Sequence, residues 1–460
     1  MSADAPPPSR AHTGSAGSRE SAAPRTLAER LPLPEGTLPV ALGLLISGIC
    51  TFAFFRVGKV ALGDEEAFKP VTALWFATFA LAPGFFLPLE QELGRALAAR
   101  RALDHGARPV VRRVLTLGAV LATVVIVGLL AAAPWLRNEY FQGNWVMVVA
   151  LIVAIVAYAP THLSRGICAG AGRFRAYGIV LGADGLMRIV LCVALAVLSV
   201  EAVGAYGMGV AIAPLFGVAY VAWRGQLRTE TGPPATWTEV TPNLGWLLLG
   251  SVMAALLVNA GPLALALLAK DDQDALVTRF GYGVILARIP LFLFQAVQAA
   301  LLPRLARLAT RGEMSEFRRG FARLMVVVGG VGTIGTIGAY LFGPFAVDLL
   351  YDAELSKRTL TILALGSACY MIALATAQAV IALKGHALVA LGWTIGVVAF
   401  VIATAAASDD AFRRVEVGLL VGSAAAMASF AIALRSRLRR GAIADAGSVY
   451  EAITDLPLEG

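Results

Sequence analysis

Charge is what this sequence has least of. Charged side chains make up 15% of its 460 residues and apolar ones 58%, with a mean hydropathy of +0.75. A soluble chain carries about a quarter charged residues, and a folded domain of this size must clothe a large surface in polar atoms. A water-soluble globular fold is therefore excluded, and lipid contact accounts for the missing polar surface. Residues that bind metals or do chemistry are equally sparse. There are four histidines and four cysteines. His12, His105, His162 and His386 stand alone, and Cys50, Cys168, Cys192 and Cys369 lie in or beside apolar runs without ligand spacing or pairing. They read as buried, inert thiols. No Ser/His/Asp grouping, P-loop or metal spacing occurs, so the sequence points to no enzyme, no metal and no cofactor.

What the sequence does have is long apolar runs. Residues 1–37 are rich in Pro, Ala, Ser and Gly and carry no apolar period, which predicts a disordered tail. No short apolar core stands near the start, so the segment does not read as a signal peptide, and the run from Leu38 is expected to be an uncleaved span. A spanning helix needs about 20 apolar residues. That template predicts spans near 38–62, 71–88, 112–133, 145–163, 176–200 and 203–222. A second set follows near 244–269, 276–302, 321–343, 359–383, 385–407 and 415–434. With twelve spans both ends share a side, and charge selects it. Connections on that side hold 26 Lys and Arg against eight on the other, from Lys69 to Arg414. The excess sets both termini in the cytoplasm of a cell whose inner membrane holds the chain. The opposite connections are acidic: Asp64, Glu65 and Glu66; Asp271, Asp272 and Asp274; Asp409 and Asp410. The net charge of +8 is then a topological signal and an attraction to anionic membrane lipids, with no implication of nucleic acid.

The spans fall into halves that read as a duplication. Pro88 closes span two before a basic amphipathic stretch, Glu92 to Arg101; Pro303 closes span eight before another, Arg307 to Arg319. Ala171-Gly172-Arg173-Phe174 turns between spans four and five, as Leu383-Lys384-Gly385-His386 does between ten and eleven. The predicted organisation is a tail (1–37), a first lobe (38–222), a cytoplasmic linker (223–243), a second lobe (244–434) and a C-terminal tail (435–460). Repeats of this kind characterise transporters, with the substrate path at the repeat interface.

Few polar residues break the spans, and most are cationic. Arg288 lies mid-span in Leu286-Ala287-Arg288-Ile289-Pro290. An Arg at a helix centre costs about 2.5–3.5 kcal/mol on insertion scales and normally faces a cavity or a partner; Pro290 predicts a kink. Arg56 and Lys59, one turn apart, end the first span. These three are candidates to bind an anionic headgroup, since the planar guanidinium fork suits phosphate. The competing reading pairs Arg288 with an internal acid and lets Arg56 and Lys59 snorkel to the interface. Asp184 and Arg188 are spaced for a helix-stabilising ion pair. No span centre carries a clear acid, which weighs against cationic cargo. Gln295, two turns beyond Arg288, and Asn259 are candidate lumen-lining groups, although interhelical hydrogen bonds explain most such residues. Glu90, Glu92 and Arg95 read as an ion-pair cluster at the cytoplasmic edge, a candidate gate.

Several segments resemble one family. Pro88-Leu89-Glu90-Gln91-Glu92-Leu93-Gly94-Arg95 resembles the motif after span two of polysaccharide-export proteins in the multidrug/oligosaccharidyl-lipid/polysaccharide (MOP) exporter superfamily. Arg165-Gly166-Ile167-Cys168-Ala169-Gly170, then Gly172-Arg173-Phe174-Arg175-Ala176-Tyr177, is similar to the family's turn after span four. Arg288-Ile289-Pro290 and Leu302-Pro303-Arg304 resemble its span eight, while Leu62-Gly63-Asp64 departs from the family's Leu-Gly-Pro. The likeness runs through most of 38–434. It implies an all-α polytopic fold of two six-helix lobes around a central cavity, an alternating-access cycle, and Arg56 and Arg288 as cavity ligands, with less support for Lys59. The expectation is a flippase for a lipid-linked anionic glycan precursor, working beside a glycan polymerase or glycosyltransferases. The alternatives are a small-molecule or multidrug antiporter of the same superfamily, a membrane-embedded glycan ligase or glycosyltransferase, and a non-transporting scaffold.

Overall fold

The computed structural model describes residues 37–240, 242–269, 274–291, 294, 308–309 and 311–439. Among them there is no strand, and twelve helices of 14 residues or more follow in order. They are α1 (Thr37–Leu62), α2 (Glu65–Ala102), α3 (Arg108–Ala131), α4 (Trp145–Gly170), α5 (Phe174–Val197) and α6 (Val203–Trp223). Then come α7 (Leu244–Leu268), α8 (Asp274–Ala287), α9 (Met314–Tyr351), α10 (Lys357–Ala382), α11 (His386–Ala406) and α12 (Ala411–Arg439). All but α8 are long and apolar enough to cross a membrane. The chain is a multi-pass membrane protein.

Burial follows from that setting. The apolar windows of α3 and α9 are each only 17% buried, and side chains such as Val120, Val124, Val326 and Ile334 stand exposed. A soluble monomer does not present apolar surface on this scale. These faces meet lipid, where backbone groups must find their partners inside each helix.

Packing repeats with a shift of six helices. α1 lies against α5, α2 against α4, and α4 and α5 against α6; likewise α7 lies against α11, α8 against α10, and α10 and α11 against α12. α3 joins the first group through α4 as α9 joins the second through α10. The two groups meet where α2 packs on α7 and α8.

Two helices exceed the predicted spans. α2 and α9 each run 38 residues, about 57 Å at 1.5 Å per residue, against a hydrocarbon core of about 30 Å. α2 passes Pro70, Pro83 and Pro88 without ending, and its amphipathic extension stays helical because α4 covers one side. Gly166 and Gly170 allow this: a Cβ on Gly166 would sit 2.8 Å from the Glu90 carbonyl, and one on Gly170 2.5 Å from Leu97 Cβ.

Candidate functional site

Helix direction alternates, so α1 begins and α12 ends on one face, called here the terminal face. Arg318 at the start of α9 donates to the Leu438 carbonyl at the end of α12 at 2.9 Å, which fixes this side. Between the two groups lies a cavity of about 370 Å³ lined by α1, α2, α7, α8, α10 and α11. Its wall comes from the parts of these helices nearer the terminal face: Ser47 and Thr51, Pro83 to Gln91, Trp246 to Ala255, Gln378 and His386. Trp75, Trp246, Tyr370 and Trp393 supply aromatic surface.

Arg288 lines this cavity. α8 is interrupted at it, two residues before Pro290, and its backbone N–H reaches the Ile285 carbonyl at a long 3.3 Å. Its guanidinium donates to the Val258 carbonyl and, at 3.2 Å, to Asn259 Oδ1. It also lies 5.5 Å from the centre of the Phe76 ring. All three partners are neutral, and no salt bridge to Arg288 exists among the described residues. Asn259 is 2% exposed and does not line the cavity. Its amide donates to the carbonyls of Phe79 at 3.1 Å and Ala255 at 2.8 Å, which turns its oxygen to the arginine.

The other embedded arginine has the opposite surroundings. Arg188, 1% exposed, bonds Asp184 at 2.6 Å and the Tyr158 hydroxyl at 3.0 Å. It stacks 4.4 Å from Trp75 and 5.4 Å from Phe79. The first-group wall of the cavity is thus backed by a neutralised pair, and the second-group wall by a cation with no acidic partner among the described residues.

The far end is closed by polar contacts between the groups. Lys59 ion-pairs with Glu65 at 2.8 Å and donates to the carbonyls of Tyr351 at 2.7 Å and Asp352 at 2.9 Å, at the C-terminus of α9. Arg279 reaches the same Glu65 at 3.0 Å, and the Thr278 hydroxyl donates to its carbonyl at 2.7 Å. Lys69 pairs with Asp274, which also accepts from Gln142. Tyr282 stacks on Tyr351 at 4.2 Å beneath these pairs. Arg56 is half-buried on α1, outside the cavity lining, with no hydrogen bond or ion pair among the described residues.

Glu90, Glu92 and Arg95 stand at the terminal face within the first group. Glu90 is buried and accepts from Arg165 and from Tyr177 at 2.7 Å, with His162 Nδ1 at 2.8 Å. Glu92 binds Arg95 at 2.7 Å, and Arg95 also donates to the Glu239 carbonyl at 2.7 Å. Arg100 completes this contact with the linker. It donates to Glu239 Oε2 at 2.8 Å, the Pro233 carbonyl at 2.8 Å and the Gly106 carbonyl at 3.0 Å. The hydrogen bond from Arg100 holds the Glu239 carboxyl down to about 2. The linker is strapped to the first group.

Of the residues expected from sequence, the structure brings Arg288 and Asn259 together, Arg288 on the cavity wall and Asn259 buried beside it and not lining the cavity as expected. It places Lys59 in the far-end closure, Arg56 near it, and Glu90, Glu92 and Arg95 at the opposite face. Gln295 and the Leu302-Pro303-Arg304 motif lie outside the described residues. Glu65, Lys69 and Asp274 read in sequence as charges of the connections opposite the termini, and nothing in the sequence singles out the cavity tryptophans. Only their three-dimensional pairing reveals them, although Asp64, an N-cap accepting from the Ala67 N–H at 2.8 Å, does mark a helix start that makes Glu65 a first-turn acid.

No family model matches this sequence. It is 25% identical over 370 residues to the uncharacterized protein Rv3630 of Mycobacterium tuberculosis, covering 77% of this chain and 81% of that one. It is likewise 25% identical over 347 residues to the uncharacterized protein Rv1510 of the same organism, covering 72% and 76%. Among solved structures, the outward-facing conformation of a multidrug resistance MATE family transporter of the MOP superfamily matches with a TM-score of 0.66 at 16% identity. That match covers 88% of this chain and 95% of the other. An inward-facing conformation of such a transporter gives 0.65 at 15%, covering 90% and 97%. A MOP superfamily transporter from Pyrococcus furiosus, described as having a binding pocket of reverse polarity that suggests a different function, gives 0.65 at 16%, covering 88% and 95%. The chain therefore has the fold of the MATE transporters of the MOP superfamily.

Proposed function

We propose that this protein is a transporter that moves a lipid-linked anionic glycan precursor across the inner membrane by alternating access. The observation that carries the reading is Arg288, a cation lining the cavity between the helix groups with only neutral partners among the described residues. Arg288 is half-buried; a charge held partly out of water without an opposite charge is costly, and an anionic ligand removes that cost when it binds. The cavity tryptophans and the side chains of Gln91 and Gln378 offer the apolar faces and hydrogen-bonding groups that a sugar presents in return. The excess of Lys and Arg on the terminal side supports cytoplasmic termini. The moving units in this reading are residues 38–222 and 244–434, with 223–243 as the tether. Arg56 and Lys59, toward the far end, would receive the phosphates after Arg288, and Glu92 with Arg95 would steady the cytoplasmic entrance. Membrane glycosyltransferases or a polymerase are the enzyme classes that would supply and consume such a cargo.

Depleting the protein tests this. The lipid-linked intermediate should accumulate on the cytoplasmic leaflet, and Arg288→Ala at normal protein level should reproduce the accumulation; if no intermediate builds up, the reading fails. Small-molecule antiport is the second reading, favoured by the fold shared with multidrug transporters. It predicts altered drug susceptibility in the same strain with glycan export intact. A membrane-embedded ligase is disfavoured by the far-end connections, which are too short to carry a catalytic domain.

A further inference from the structure

Behind Arg288, on the side away from the main cavity, lies a second and much smaller space. It measures about 30 Å³ and is enclosed by α7, α8, α10 and α12. Among the described residues its polar groups are Arg288, Ser367, Tyr370 and Ser423, and the rest of its lining is apolar. Arg288, Tyr370 and Val258 line both spaces, so the arginine forms the partition between them.

The donors here exceed the acceptors. Arg288 spends one nitrogen on Val258 and Asn259, and its Nε and remaining Nη make no hydrogen bond among the described residues. Ser423 is 4% exposed, and neither its hydroxyl nor that of Ser367 has a partner among the described residues. Tyr370 already gives its proton to the Ala254 carbonyl at 3.2 Å. A guanidinium carries five N–H donors and no acceptor. Among the described residues the pocket thus presents one positive charge and two hydroxyls without a partner, and no carboxylate. That set repels a metal cation and suits an anion. The volume exceeds the roughly 10–15 Å³ that one water needs but is far below the size of a sugar phosphate.

We propose that this pocket binds a small monovalent anion, with chloride as the physiological ligand, held by Arg288, Ser367 and Ser423. The ion supplies the counter-charge that no side chain among the described residues provides to the half-buried guanidinium. The site rests on the geometry around Arg288 and not on the cargo. One consequence does rest on the proposed function: a bound ion weakens the pull of Arg288 on an anionic cargo in the main cavity.

Thermal unfolding of the purified full chain in detergent tests the site without any cargo. Sodium is held constant while chloride is replaced by bromide or by gluconate. The melting midpoint should rise and saturate with chloride and bromide and stay level with gluconate, which is too large to enter. Ser423→Ala and Ser367→Ala each remove a hydrogen bond to a charged group and should raise the half-saturating chloride concentration about tenfold. Two small substitutions guard against one that fails to fold. Equal stabilisation by gluconate would reduce the effect to charge screening and overturn the site. A chloride effect that both serine variants leave unchanged would overturn its placement here.

Discussion

Arg288 donates to the side-chain oxygen of Asn259 at 3.2 Å, a charged donor on a neutral acceptor. The same chain shows the alternative at Arg188, whose guanidinium meets the Asp184 carboxylate at 2.6 Å. Both arginines flank the central cavity. One is a closed electrostatic unit, the other keeps its charge available.

The difference predicts opposite variants. Arg188→Ala strands Asp184 in a buried site, and breaking a buried pair in this way costs about 3–5 kcal/mol. Arg288→Ala leaves no charge behind and should cost less than half of that. Thermal melting of the two variants, with export measured in cells, separates them: Arg188→Ala should melt much lower, while Arg288→Ala should stay folded and stop transport. Equal destabilisation of both would show that Arg288 is a structural arginine.

The far-end ion pairs predict which contacts must break for the cavity to open there. Glu65 holds Lys59 and Arg279, and Asp274 holds Lys69. Glu65→Gln with Asp274→Asn removes both negative centres. In a variant without native cysteines, a cysteine replacing Ser251 on the cavity wall should then react faster with a membrane-impermeant thiol reagent added from the far side. An unchanged labelling rate would mean that these pairs do not control opening.

Much of this fold was legible because hydropathy reports lipid exposure directly. Among the described residues, eleven apolar segments became membrane-length helices, and the Pro- and Gly-based likeness of the halves reappears as packing repeated six helices later. Helix limits were less legible. The amphipathic stretch Glu92–Arg101 has too many charges to pass as a span, yet it continues α2 without a break, since helicity needs only internal hydrogen bonds and one packed face. At the site, Arg288 stood out because an arginine at mid-span is expensive. Glu65 and Asp274 did not, because acids near a membrane surface are common and only the fold aims them at Lys59, Arg279 and Lys69. Lys59 shows the same limit. Sequence places it at the end of α1, but its bond to the Tyr351 carbonyl 292 residues away depends wholly on how the two groups pack.

The linker strap should respond to acid. Arg100 holds the folded-state carboxyl of Glu239 down to about 2, from an ordinary value of 4.5. A lowered carboxyl stabilises the docked state fully above the ordinary value, and that contribution disappears as the pH falls from there toward about 2. Hydrogen exchange of residues 228–239 should therefore be equally protected at pH 7 and pH 5.5, after correction for intrinsic rates, and lose protection below about pH 4. Glu239→Gln should exchange faster at neutral pH and lack the acid-dependent step. A variant with the same protection as the parent at pH 7 would show that the proline carbonyls alone hold the strap.

Close helix contact in the first group depends on two facing glycines. A Cβ on Gly43 of α1 would come within 2.4 Å of the Gly178 carbonyl, and one on Gly178 of α5 within 2.2 Å of the Pro39 carbonyl. Each obstacle is backbone, which cannot rotate aside as a side chain can. Gly178→Val should therefore push α1 away from α5 and destabilise by about 1–3 kcal/mol, the usual cost of overpacking. A Cβ on Gly48, farther along α1, would meet nothing within 4 Å, so Gly48→Ala serves as the control. Its added methyl should leave the melting temperature unchanged or raise it slightly, because alanine is the better helix former by about 1 kcal/mol. Since Ser47 and Thr51 reach the cavity from the same helix, displacement of α1 should lower transport along with stability. If Gly178→Val melts like the control, α1 and α5 are held by their apolar side chains and not by this close approach.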